Sequence, residues 1–267
     1  MTTPFARLHH RAEPLLLPNA WDYASAAALA AAGFPAVGTT SLGVAAGAGL
    51  RDGTGAAADA TLALALALGR GGFVFSVDAE GGFSDDPDEV ARTARELWAV
   101  GAAGINLEDG RDDGTLTDPA LHAAKVAAVK AAVPELFVNA RTDTYWLGRE
   151  EDGTGERLGA YRRAGADGVF VPGVTEAGAI GALTRTLDVP LNILYTPAGP
   201  SVPELRALGV RRISLGSLLY RRALGDAVAT ARAVRDGLPC PAAPGGTPGY
   251  GEVQALLSTG ASADATT

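Results

Sequence analysis

Residues 73–110, "FVFSVDAEGGFSDDPDEVARTARELWAVGAAGINLEDG", hold two short apolar runs that each end in acids. The first closes on Asp78 and Glu80, the second on Glu108 and Asp109. Between them, "DEVARTARELWAVGA" repeats apolar residues at helical spacing. Apolar runs without in-out alternation are the pattern of parallel strands buried on both faces. The stretch therefore reads as strand, helix, strand, with carboxylates at both strand ends.

The same unit recurs along the chain. Further strand candidates are "LLLPNAW", "AVGTTS", "FVNARTD", "GVFVPG", "LNILYT" and "RISLGS". Helical stretches separate most of them, including "DPALHAAKVAAVKAAV", "GERLGAYRRAGA", "EAGAIGALTRTL" and "SVPELRALGV". Asp-Pro and Ser-x-Pro-Glu entries supply N-caps, and Gly-Ala or Gly-Val exits supply C-caps. Eight such units in about 230 residues predict an α/β fold, a (β/α)8 TIM barrel. No G-x-G-x-x-G opens the chain as a dinucleotide fold would. Residues 1–238 form the barrel in this reading. Residues 239–267 are a Pro/Gly linker, a short helix at "YGEVQALL" and a disordered tail.

The chain has 267 residues, 47% of them hydrophobic, and a net charge of -8. That balance gives no electrostatic footprint for nucleic acid or an anionic membrane. A small molecule, bound through a cation, is the expected partner. The lone Cys240 permits no internal disulfide, and no signal or membrane-spanning run is present, so the cytoplasm is the expected compartment. His9, His10 and His122 are scattered and read as surface residues.

A barrel of this kind works at the C-terminal ends of its strands. Asn19, Trp21 and Asp22, then Thr39, Thr40 and Ser41, then Asp78 and Glu80 fall there. So do Glu108 and Asp109, Arg141 and Asp143, and Thr196. Several carboxylates at one rim repel unless a cation joins them, and Mg2+ or Mn2+ suits oxygen ligands. Arg141 offers a planar fork to a carboxylate or phosphate. "LGSLLYRRAL" reads as close strand–helix packing, with a phosphate-binding helix N-terminus as the alternative.

The motifs "LLLPNAWDYASAAALAAAGFPAVGTTSLGVAAGAGLRDG", "VDAEGGFSDDPDEVARTARELWAVGAAGINLEDG", "NARTD" and "GAYRRAGADGVFVPG" occur in this order. Through them the chain resembles the isocitrate lyase/phosphoenolpyruvate mutase superfamily over nearly its whole length. The resemblance implies a (β/α)8 barrel whose last helix is exchanged between subunits, hence a homodimer or homotetramer. It implies Mg2+ held, largely through water, by Asp78, Glu80 and Glu108. It also implies Asp52 as a catalytic residue on a mobile loop, Arg141 as a catalytic and substrate-binding residue, and substrate contacts from Thr40, Ser41 and Leu42. Such enzymes make or break C–C or P–C bonds through an enolate of a 2-oxo acid.

This chain departs from the pattern at three places. Glu80 stands where many members have aspartate. "GRDDGTLTDPALH" lacks the lyase Lys-Lys-Cys-Gly-His segment and the mutase gate. "VFVPGV" lacks the lyase glutamate and the mutase histidine. The expected function is Mg2+-dependent cleavage of a C–C bond in a small 2-oxo or 2-hydroxy (di)carboxylate, by a lyase or decarboxylase. A P–C bond enzyme and a non-catalytic binding module are the alternatives.

Overall fold

The computed structural model describes residues 3–243 and 245–258. The tail expected to be disordered lies, from residue 259 onward, outside the described residues. Nine parallel strands form one sheet: β1 Leu15–Leu17, β2 Asn19–Ala20, β3 Val37–Thr39, β4 Phe75–Asp78, β5 Gly104–Glu108, β6 Phe137–Arg141, β7 Gly168–Val171, β8 Leu191–Leu194 and β9 Arg212–Ser214. All eight expected strands are there, but the first is split. Pro18 has no N–H, so the ladder breaks at it. β1 pairs with β9, β2 pairs with β3, and the two halves close the ring as a TIM-type barrel.

The helices are α1 Pro4–Leu8, α2 Tyr23–Ala31, α3 Ser41–Gly47, α4 Ala58–Leu68, α5 Pro87–Ala99, α6 Pro119–Ala132, α7 Thr144–Leu147, α8 Thr154–Arg163, α9 Ala177–Thr186, α10 Val202–Ala207, α11 Leu218–Arg235 and α12 Tyr250–Ser258. Asp86 and Asp118 cap α5 and α6, each ahead of a first-turn proline. Ser201 and Glu204 form a reciprocal capping box on α10.

The strands do alternate, although both faces are buried. Ile105, Leu107, Val138, Ala140, Ile193 and Ile213 pack with the helices. Asn106, Asn139, Asn192, Arg212 and Ser214 bond to one another instead: Asn139 Nδ2 donates to Asn106 Oδ1 at 2.9 Å, and Asn192 Nδ2 to Ser214 Oγ at 3.0 Å. Period two sends these polar residues into the barrel, where other barrels keep branched apolar layers.

The N-terminal end of the barrel is plugged by α1, which the sequence reading passed over. Phe5 packs edge-on to Phe137, and His9 stacks on Phe137 with ring centroids 4.2 Å apart. His9 is therefore buried, not exposed as expected. Its Nδ1 lies 3.1 Å from the Phe5 carbonyl. His122, on α6, is also buried, edge-on to Tyr161 of α8. Only His10 of the three is exposed. Desolvation by burial lowers His9 to a pKa of about 3 and His122 to about 4.

At the other end of the chain, no residue of α11 is buried. Leu224 and Val228, one turn apart, are each half exposed. α12 packs beside α2 of the same chain. Among the described residues, no helix is long and apolar enough to cross a membrane.

The two buried histidines set a pH dependence. Unfolded histidine takes up a proton near pH 6.5, whereas these two remain neutral in the folded chain until far lower pH. The unfolded state then binds more protons at these two sites, so their contribution is flat above pH 7 and falls as pH drops below 6.5. Between pH 7.5 and 5.5 each histidine should cost about 1.4 kcal/mol. Urea unfolding across that range should show the loss, and His9→Gln should remove about half of it.

Candidate active site

At the end of β4, Asp78 takes its position from β3: its backbone N–H donates to Thr39 Oγ1 at 2.8 Å. Its Oδ2 faces the Ser41 amide at 3.4 Å, and its Oδ1 is buried with no partner. Glu80 follows in a left-handed backbone conformation, φ 47°. Its Oε2 accepts from the Gly55 amide at 2.9 Å, while Oε1 is buried and unpartnered. A buried carboxylate oxygen without a donor is costly unless something outside the protein satisfies it.

β5 and β6 place Glu108 directly beside Arg141. Arg141 Nη1 lies 2.6 Å from Glu108 Oε2. Its Nε and Nη2 donate to the two oxygens of Asp143 at 2.6 and 3.1 Å. The guanidinium also lies 5.6 Å from the centre of the Phe170 ring. Burial alone would lower its pKa, but Asp143 and Glu108 outweigh that and raise it. Glu108 is pushed well above the usual carboxylate range by burial, with Asp143 and Asp78 adding repulsion and Arg141 opposing. Gly110 is required beside this clasp, because a Cβ there would sit 2.2 Å from Asp143 Oδ2.

Asp52 lies on the loop after α3. Partial desolvation and the charge of Asp78 raise its pKa, against a hydrogen bond from Ser41. Glu80 is raised for the same reasons, burial first, then Asp52 and Asp78.

These residues surround a cavity of about 270 Å3 at the strand C-termini. Asn19, Asn106 and Ser214 form its floor, and Thr40, Ser41, Leu42, Asp52, Asp78 and Arg141 line its polar side. Trp146, Phe170, Pro172 and Leu194 line an apolar side. Glu108 and Asp143 line an adjoining hollow of about 170 Å3 that shares Ser41, Asp52, Arg141 and Trp146. Glu80 lines a third space, of about 210 Å3, with Gly53, Gly55 and Lys125. Another hollow, of about 310 Å3, lies by Thr184, Arg185, Asp188 and Arg211, away from the strand C-termini.

Five rim residues line none of these spaces: Trp21 packs edge-on to Tyr220, Asp22 caps α2, Thr39 accepts from the Asp78 amide, and Thr196 and Asp109 make the other two. The chain turns after β8, Gly199 N–H donates to the Thr196 carbonyl, and Leu194 occupies the wall instead. Asp109 points away from the cavity, because neighbouring strand residues face opposite ways. It is fully buried and accepts from Tyr161 Oη at 2.6 Å, Thr142 Oγ1 at 2.8 Å, Asp143 N at 2.9 Å and Arg157 Nη1 at 3.3 Å. Conversely, Asn106, Trp146, Phe170 and Ser214 line the cavity without having been singled out from sequence. Period two from Glu108 points to Asn106; nothing local marks Trp146.

Among the described residues, no three His, Cys, Asp or Glu side chains gather closely enough to hold a metal directly. Asp78, Glu80 and Glu108 are thus neighbours in one acidic region rather than a tight cage.

The family model for phosphoenolpyruvate phosphomutase matches residues 5–235. The chain belongs to the phosphoenolpyruvate phosphomutase family. An uncharacterised protein of Mycobacterium tuberculosis is 45% identical over 255 residues, 95% of each chain. An oxaloacetate decarboxylase of Pseudomonas fluorescens is 34% identical over 173 residues, 60% of this chain and 58% of that one. A candidate lyase/mutase from Burkholderia cenocepacia is 36% identical in its solved structure, with TM-score 0.84 over 95% of this chain and 94% of that one. The phosphoenolpyruvate phosphomutase family and its structural neighbours contain lyases and mutases, and this chain is an enzyme of that lyase-like kind.

Asp109 anchors the β6–α7 turn that carries Asp143, and so the Arg141 clasp. Asp109→Ala would leave three neutral donors unpaired and Arg157 with Glu150 as its one acid. We expect a loss of roughly 3–5 kcal/mol in urea unfolding, as for removing one partner of a buried ion pair. An unchanged midpoint would mean that the turn holds itself.

Proposed function

We propose that the chain is a Mg2+-dependent enzyme that cleaves a C–C bond of a small 2-oxo or 2-hydroxy (di)carboxylate through an enolate. Decarboxylation of a 2-oxo acid is the preferred reaction. The observation that carries this reading is the make-up of the 270 Å3 cavity: Arg141 and two aspartates, with no Lys, His, Cys or Tyr among the lining residues. A retro-aldol cleavage needs a base at the substrate hydroxyl. A decarboxylation needs only charge stabilisation at the enolate oxygen and one proton afterwards. Cys240 is exposed in the segment after α11 and supplies no acid to the cavity.

Arg141 binds and orients the substrate carboxylate, already aimed by Asp143 and Glu108. The amides of Ser41 and Leu42 offer donors to the same group, while the Thr40 amide is held by the Ala20 carbonyl. Asp52, with its raised pKa, returns a proton to the enolate carbon at the cavity mouth. Trp146 and Phe170 keep water from that carbon. Asp78, Glu80 and Glu108 would hold the cation. The unpartnered oxygens of Asp78 and Glu80 fit a hydrated hard ion, and the spacing of the acids favours contact through water. The ion would supply positive charge to the developing enolate oxygen.

A P–C bond reaction is the second reading, favoured by the family itself and by Gly216 and Ser217, which open the first turn of α11 into the cavity. A panel of 2-oxo diacids with Mg2+, measured above the metal-only rate, tests the first reading by CO2 and pyruvate release. Oxaloacetate heads it, given the decarboxylase relative. Phosphate release from phosphonopyruvate without CO2 from any diacid would favour the second.

Asp78→Ala should abolish Mg2+-dependent binding of oxalate, an enolate mimic, in a folded protein. Arg141→Lys should lower kcat/KM by roughly 2–4 kcal/mol, since an ammonium cannot replace the fork. Activity within twofold of wild type would reduce Arg141 to an ion-pair partner.

We also propose a homodimer or homotetramer. The support is α11, whose Leu224 and Val228 are each half exposed among the described residues. Light scattering should show an oligomer, and Leu224→Glu with Val228→Glu should shift it to smaller species.

A further inference from the structure

Arg212 heads the largest fully buried side chains of the protein. It opens β9 and points into the barrel. Its Nη2 donates to Asn106 Oδ1 at 3.1 Å and its Nε to Ser214 Oγ at 3.4 Å; its Nη1 has no partner. No carboxylate lies within ion-pair distance among the described residues.

Every other buried cation has an acid. Arg141 is clasped by Glu108 and Asp143, Arg157 by Asp109 and Glu150, and Lys125 by Asp85. Burying a guanidinium without a counter-charge is expensive. Desolvation accordingly brings Arg212 down to about 9, opposed only by the more distant Asp78.

The position of Arg212 tells where the missing charge belongs. Its two acceptors, Asn106 and Ser214, are both in the cavity floor. Asn106 Oδ1 takes a second donor from Asn139, so its carbonyl is saturated from below. The Asn106 amide nitrogen, which has no acceptor among the described residues, is left to the cavity. Arg141 is the obvious anion binder, yet two carboxylates already outweigh it. The acids of the rim repel an anionic substrate even when part of their charge is met by a cation. The uncompensated positive charge beside the cavity is beneath its floor.

We propose that Arg212 is the counter-charge for the substrate. It acts as a positioning residue through Asn106 and Ser214, and it makes the site select dianionic 2-oxo acids over monoanionic ones. This rests on the enolate-forming reading above and adds the charge class of its substrate. Substrate binding brings, across the floor, the negative charge that the folded protein leaves out.

Calorimetric titration of the full-length protein with oxalate and with oxamate, at one Mg2+ concentration and pH 7.5, tests it. The two ligands are near-isosteric and differ by one charge. Wild type should prefer oxalate by at least about tenfold. Arg212→Gln should cut that preference about tenfold, equivalent to about 1.4 kcal/mol, while oxamate affinity changes little. Asn192→Asp provides a second route, should Arg212→Gln fail to fold. Asn192 is the register partner of Arg212 and does not line the cavity. A carboxylate there pairs Arg212 in place, and should erase the preference too. An unchanged oxalate-to-oxamate ratio in either folded variant overturns the proposal. Equal binding of the two ligands by wild type also overturns it but leaves the proposed function standing. Failure of wild type to bind either ligand overturns both.

Discussion

Closing eight strand–helix units into a ring brings their C-terminal ends together, and with them the acids that end the strands. Charge crowded into a low-dielectric rim has to be balanced or the ring will not close favourably. The Glu108–Arg141–Asp143 clasp does most of the balancing. Its geometry propagates outward: Gly110 is demanded by the Asp143 carboxylate, Asp109 fixes the Asp143 amide, and Arg157 and Tyr161 of α8 fix Asp109. One guanidinium at a strand end thus dictates the packing of a helix behind it.

The clasp leaves other charges unmet. Asp78 and Glu80 each keep a buried oxygen without a donor, and Arg212 keeps a nitrogen without an acceptor. Such groups weaken the fold and are tolerated at sites that bind something. Here the unmet negative charge lies at the rim and the unmet positive charge under the floor, with the cavity between them. That field is organised before any ligand arrives, which is the economical way to stabilise charge developing on a reacting oxygen.

Much of this was legible in the sequence, because apolar runs and capping residues report on local geometry. The strand positions, the Asp-Pro helix starts and the placing of Thr40, Ser41, Asp78 and Arg141 at strand ends follow from such signals, whereas Asp52 came only through the family resemblance. What escaped depends on contacts distant in sequence. His9 is buried because Phe137 lies beneath it, and His122 because Tyr161 crosses it. Thr196 falls outside the cavity lining, in a turn that closes on Gly199. Asp109 was grouped with Glu108, although period two sends adjacent residues to opposite faces; that miss was avoidable. Arg212 looked like one more charged residue before an apolar run, and only barrel closure puts it on the axis.

Pro18 gives the ring a seam. The first strand passes from one neighbour to the other there, with three residues paired on one side and two on the other. Asn19 bridges that seam: its Oδ1 accepts from the amides of Leu215 and Gly216, and its Nδ2 donates to the Thr39 carbonyl. The same side chain is part of the cavity floor. Closure of the barrel at this joint and the shape of the binding floor consequently depend on one side chain. A ligand seated on Asn19 fastens the hoop, and a hoop sprung at Pro18 has no floor to offer.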